Sequence, residues 1–179
     1  MYGLVNKAIQ ELVIKNYGEE RWNEIKQKVG FQDNFFVGMK SYPDDLTYDL
    51  VGTISQETGL SAEEVLQAFG EYWILFTAEE GYREIMKVYG STLREFLLNL
   101  NRLHDQVGLI MPDLRPPKFT VSELTENHIS LTYESKREGL APMVVGLLRG
   151  LGRKFDQDIT IEQTEFRSTT GKDVFSIKW

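Results

Sequence analysis

Phe119-Thr120-Val121-Ser122-Glu123-Leu124-Thr125-Glu126-Asn127-His128-Ile129-Ser130-Leu131-Thr132-Tyr133-Glu134-Ser135-Lys136-Arg137 is the stretch whose reading decides the fold. Before it, apolar residues recur at helical spacing. Pro112, Pro116 and Pro117 mark a change, and beyond them the apolar period falls to two. Residues 119–124 and 129–136 read as strands joined by the polar turn Thr125-Glu126-Asn127.

Upstream, Leu4, Val5, Ala8, Ile9, Leu12 and Val13 begin a helix almost at Met1, and another runs over about 19–28 to Gly30. Ser41-Tyr42-Pro43 turns into a helix carrying Leu46, Leu50, Val51 and Ile54. Ser61-x-x-Glu64 is a capping-box signature for a helix through Phe69 and Trp73 to about 76, and Thr77-x-x-Glu80 repeats it for 78–89. Gly90-Ser91 launches the longest helix, about 92–109. Downstream, 139–155 is helical with Pro142 in its first turn. Residues 159–164 and 174–179 form a second strand pair, turning near Thr170-Gly171. The pattern predicts an α+β fold: one domain over 1–179, with a helical N-terminal lobe (about 1–111) and then a four-stranded antiparallel sheet with one inserted helix (about 112–179).

Composition narrows the function. The 179 residues are 41% hydrophobic and 26% charged, as in a soluble globular protein. A net charge of −7 argues against a broad surface for nucleic acid or anionic membrane. The absence of cysteine excludes disulfides, zinc-thiolate sites, iron–sulfur clusters, thiol catalysis and a thiolate-held haem. The densest apolar run, 72–76, is far too short for a membrane span, and Lys7 and Glu11 interrupt any leader-like start. The cytoplasm is the expected location.

His104 shares a helix face with Leu93, Phe96, Leu97, Leu100, Leu103 and Val107. Read alone it is a core histidine bonded to a carbonyl, or a metal ligand. His128, at the mouth of a strand, reads as exposed. On the second strand Ile129, Leu131, Tyr133, Ser135 and Arg137 share the inward face, while Ser130, Thr132, Glu134 and Lys136 point to water. A buried Arg137 needs an anionic partner. Both an Asp or Glu bridge and a ligand bearing carboxylates satisfy it. A haem asks for both features together: one imidazole for its iron, and fixed donors for its two propionates.

Tyr133-Glu134-Ser135-Lys136-Arg137 resembles the Tyr-x-Ser-x-Arg motif of the haem–nitric oxide/oxygen binding (H-NOX) family, which includes the haem domain of the soluble guanylate cyclase β subunit. Gly90 to Asp105 is similar to that family's proximal helix. Met1-Tyr2-Gly3-Leu4-Val5-Asn6, Phe69-Gly70-Glu71-Tyr72-Trp73 and Leu114-Arg115-Pro116-Pro117 match as well, so the resemblance spans the chain. It implies one non-covalent haem b, with His104 as iron ligand and Tyr133, Ser135 and Arg137 on the propionates. Pro117 would press on the macrocycle. Met1, Val5, Trp73, Thr77, Met143 and Leu147 would line the distal side.

Oxygen-binding members of the family place a tyrosine on the helix after the motif strand. Here Met143 stands there, which implies a sensor selective for NO, with CO expected to bind and O2 weakly or not at all. Trp73 is the one further donor that the resemblance puts nearby. NO would weaken the Fe–His104 bond and let the lobes shift. No catalytic residues are evident, so a stand-alone, bacterial-type member would signal to a separate protein such as a histidine kinase or cyclic-di-GMP enzyme. The competing readings are an oxygen-binding haem protein and a haem-free pocket for a small acidic hydrophobic ligand.

Overall fold

The computed structural model describes residues 1–123 and 125–179; Leu124, the expected end of the first strand, lies outside them. Helix α1 covers Gly3–Lys28, but Gly18, at φ 84° and ψ 169°, breaks its regularity. That break separates the two helical stretches the sequence predicts. Glycine reaches this dihedral region without a steric penalty. Helix α2 (Asp44–Thr58) starts with Asp44 and Asp45, acids that favour a helix N-terminus, and stops at left-handed Gly59.

Helix α3 (Ala62–Tyr72) opens with the expected capping box. The Glu64 amide donates to Ser61 Oγ at 3.2 Å, and the Ser61 amide donates to the Glu64 carboxylate at 2.8 Å. The second expected box does not form. Thr77 has helical dihedrals and caps nothing. Residues Trp73–Thr77 form a π-helical turn, in which the Ala78 amide donates to the Trp73 carbonyl, and the chain continues into α4 (Ala78–Val88). No glycine or proline lies between Trp73 and Ala78 to stop a helix. Helix α5 (Leu93–Ile110) is capped by Thr92, whose hydroxyl accepts from the Glu95 amide at 3.2 Å.

Four strands form the sheet: β1 (Lys118–Ser122), β2 (His128–Glu134), β3 (Thr160–Glu165) and β4 (Asp173–Lys178). They are antiparallel in the order β1-β2-β4-β3, so the two predicted pairs join through β2 and β4. Ile129, Leu131, Phe175 and Ile177 are completely buried on its inner face. The outer face of β2 is drier than predicted. Ser130, flanked by Ser122 and Ser176 across the ladder, is buried. His128 is half-buried, not exposed, with Nε2 3.0 Å from Ser176 Oγ. Between β3 and β4 the chain makes a short helix α7 (Arg167–Thr170), ended by left-handed Gly171 where the sequence reads a plain turn.

Helix α6 (Ala141–Lys154), inserted between β2 and β3, carries Pro142 in its first turn. It crosses α3 backbone to backbone. A Cβ at Gly146 would stand 2.0 Å from the Gln67 carbonyl oxygen, and one at Gly70 would stand 2.2 Å from that of Met143. Only glycine allows this approach, and it brings Met143 and Leu147 alongside Phe69 and Trp73 to wall a cavity.

Candidate functional site

A cavity of about 410 Å³ lies among α1, α2, α3, α4, α5, β2 and α6. It is within the range of small-molecule sites. His104 enters it from α5. Its ring lies nearly parallel to that of Phe119, with centroids 5.9 Å apart. Nδ1 is buried without a hydrogen-bond partner among the described residues. The expected carbonyl partner of a core histidine is therefore missing. Burial pushes the imidazole below its usual pKa, against a smaller upward pull from Asp105. A neutral imidazole with an available lone pair suits a metal. Among the described residues no three His, Cys, Asp or Glu side chains converge, so a metal at His104 would take its remaining ligands from a cofactor.

Tyr133, Ser135 and Arg137 line the same cavity from the end of β2, as alternation predicts. Burial raises the Tyr133 pKa, although the Ser135 hydroxyl and the nearby guanidinium groups of Arg137 and Arg167 oppose it. Ser135 Oγ accepts from the Arg137 amide at 3.1 Å, which leaves the hydroxyl proton to donate elsewhere. Arg137 grips Asp44 with two nitrogens, Nε at 2.8 Å and Nη2 at 3.2 Å, while Nη1 donates to the Arg115 carbonyl at 2.9 Å. Asp44 also accepts from the Met1 amino group at 2.6 Å. Burial raises the Asp44 pKa, but Arg137 and that amino group outweigh it and hold the carboxyl below its ordinary value. The carboxylate bridge is thus real. Of the five guanidinium hydrogens, these three bonds leave two for an incoming carboxylate.

Asn101, one turn before His104, holds α5 against β1. Its Nδ2 donates to the Phe119 carbonyl at 2.6 Å, and its Oδ1 accepts from the Phe119 amide at 2.9 Å. Strand β1 is a sheet edge, and Phe119 faces Tyr133 across the ladder. A residue in an antiparallel pair bonds its partner with both main-chain groups or with neither. Asn101 takes both of Phe119's outward groups. The Phe119 ring then sits between His104 and Tyr133, 5.5 Å from the latter.

Pro117, Met1, Val5, Trp73, Met143 and Leu147 all line the cavity. Thr77 does not. It faces a neighbouring cavity of about 180 Å³ with Lys7, Glu11 and Glu80, and its buried hydroxyl has no partner among the described residues. The wider π turn rotates Thr77 off the face that Ile74, Ala78 and Tyr82 share. Tyr82, like Asp44 and Asn101, escaped the sequence analysis. Its signal is spacing: it stands four residues from both Ala78 and Met86, which also line the cavity. Burial raises its pKa.

The donor set fits a haem: a buried imidazole with no partner among the described residues and, in the same cavity, two hydroxyls and a guanidinium. A family model described as haem-NO-binding matches residues 2–163. The chain is 31% identical over 165 residues to the soluble guanylate cyclase gcy-32 of Caenorhabditis elegans, a match covering 90% of this chain and 24% of that protein. It is 30% identical to gcy-37 of the same organism, covering 96% of this chain and 25% of that protein. The chain therefore spans about a quarter of the length of these relatives. In fold it is similar to an H-NOX protein from S. oneidensis in the Fe(II)NO ligation state, with a TM-score of 0.90, 22% identity and coverage of 99% and 98% of the two chains. An oxygen-binding H-NOX domain related to soluble guanylate cyclases superimposes with a TM-score of 0.84 at 23% identity, over 99% and 94%.

Proposed function

The chain belongs to the haem–NO-binding (H-NOX) family of haem-based gas sensors, and we propose that it is a member selective for nitric oxide over oxygen. His104 would hold the iron of one non-covalent haem b, and Tyr133, Ser135 and Arg137 would hold its propionates. The observation that carries this reading is the joining of the partnerless imidazole and the Tyr133–Ser135–Arg137 row in one cavity. The haem iron would supply the binding site for a diatomic gas.

Bound oxygen draws strongly on a distal hydrogen-bond donor, whereas NO needs little such help. The α6 wall offers Met143 and Leu147 and no hydroxyl, which supports NO selectivity, with CO as a further ligand. One observation favours the second reading, an oxygen-binding protein: Tyr82 on α4 is among the residues that line the cavity.

Any movement of His104 would be transmitted through its contacts. The imidazole stacks on Phe119, Phe119 packs on Tyr133, and Asn101 ties α5 to β1, so movement of His104 acts on the junction of helices and sheet. Residues 1–179 would work as one sensor domain in the cytoplasm, signalling to a histidine kinase or cyclic-di-GMP enzyme. Among the described residues no helix is long and apolar enough to cross a membrane.

A His104→Gly variant supplied with free imidazole tests the proposal. It should take up haem only with imidazole present and lose NO-dependent control of a partner kinase. Retention of that control while imidazole stays ligated overturns the mechanism.

A further inference from the structure

Strand β2 ends at Glu134, so Ser135, Lys136 and Arg137 lie beyond the ladder that orients Tyr133. Carbonyls leaving a sheet must find other partners. Two of them find Arg167. Its Nη1 donates to the Ser135 carbonyl at 2.7 Å and to the Arg137 carbonyl at 3.2 Å. Arg167 is itself fixed from the sheet. Its amide donates to Asp173 Oδ1 at 3.0 Å, and Asp173 faces Tyr133 across the β2–β4 ladder. Gln163 Nε2 donates to the same oxygen at 2.8 Å. Arg167 does not line the cavity, so it acts on the site only through the backbone it holds.

We propose that Arg167 is the positioning residue for the carboxylate-binding end of the cavity. By holding the Ser135 and Arg137 carbonyls from the β3–β4 turn, it fixes the direction in which the Ser135 hydroxyl and the Arg137 guanidinium face a ligand's carboxylates. Tyr133 needs no such help, because the ladder already orients it. Both bonds come from the one nitrogen Nη1, whose two hydrogens are fixed in the guanidinium plane, a direction that a lysine ammonium on its flexible stem does not hold. The inference rests on the haem reading and names what makes the propionate grip firm.

The test compares wild type with Arg167→Ala and Arg167→Lys. Ferrous haem-loaded protein is mixed with excess haem-free myoglobin, and haem transfer is followed by absorbance. Resonance Raman spectra report the propionate-bending and Fe–His bands. Arg167→Ala should lose haem about tenfold faster, the worth of a weakened charge-assisted hydrogen bond. Its propionate bands should shift while the Fe–His band stays in place, because His104 is held on α5. Arg167→Lys should fall between the two. Should Arg167→Ala fail to fold, Arg167→Lys decides alone: a shifted propionate band with faster transfer supports the proposal, and wild-type behaviour overturns it. Equal transfer rates for Arg167→Ala and wild type overturn it, as does a loss accompanied by an equal disturbance of the Fe–His band, the mark of general loosening. A wild type that takes up no haem sinks the haem reading first, and this inference with it.

Discussion

Replacing Gly146 by alanine puts a methyl group where the α3 backbone already stands. The added Cβ would lie 2.0 Å from the Gln67 carbonyl oxygen, 2.8 Å from its carbon and 3.0 Å from the Gln67 Cα. All three atoms are main chain, so no side chain can swing aside. An ordinary contact is about 3.4 Å, so α6 and α3 must separate by roughly 1.4 Å, and cores resist such displacement. Overpacking costs about 1–3 kcal/mol, and a backbone-on-backbone clash belongs at the upper end. Alanine's better helix propensity returns up to about 1 kcal/mol, for a net loss of about 2 kcal/mol. In urea unfolding of the haem-free protein this is a midpoint about 1 M lower. Gly108→Ala is the control: nothing lies within 4 Å of its Cβ, so it should gain about 0.5–1 kcal/mol. Because α6 carries Met143 and Leu147, haem uptake should fall only in the Gly146 variant. A Gly146→Ala protein that unfolds at or above the wild-type midpoint refutes the reasoning about the crossing.

Two further outcomes follow from the polar braces of the site. Asn101→Ala strands both main-chain groups of Phe119 at the sheet edge and should cost about 1–3 kcal/mol in the same unfolding assay, while Asn101→Asp, which keeps the acceptor, should lose about half as much. An effect of Asn101→Ala below about 0.5 kcal/mol would show that α5 does not depend on this contact. Asp44→Asn should weaken the haem-free protein at neutral pH, by under about 1 kcal/mol because the carboxylate is partly exposed. The folded protein holds the Asp44 pKa low, so the bridge's stability is present above the unfolded value and is lost as pH falls through the folded one. The two proteins should therefore converge in acid. A gap that widens there contradicts the assignment.

The alternating face of β2 could be read from spacing alone, because a strand's period is two whatever its neighbours are. Tyr133 lies where that period puts it, and Ser135 and Arg137, just past the strand's end at Glu134, line the same cavity. His104 followed from the helical period in the same way. Asp44 could not be found so. It reaches Arg137 across 93 residues, and no local pattern encodes which of many acids meets a given arginine. Asn101 and Arg167 act on main-chain groups, which leave no trace in side-chain periodicity. Thr77 neither caps a helix nor lines the cavity, for a subtler reason. Thr77-x-x-Glu80 has a capping-box spelling, but the apolar run before it contains nothing to end a helix, and the extra residue of the π turn rotates every later side chain. His128 looked exposed because its Ser176 partner lies on a strand that sequence order does not place beside it.

The absorption spectrum of the purified, dithionite-reduced protein under argon, then air, then NO decides between these readings. The expected spectrum is that of a five-coordinate ferrous haem that forms no stable complex in air and shifts on adding NO. A stable oxygen complex would contradict the selectivity and put Tyr82 or Trp73 in the donor's place. The absence of a haem band after haem is added would remove His104 as an iron ligand and leave the cavity to a small acidic hydrophobic ligand.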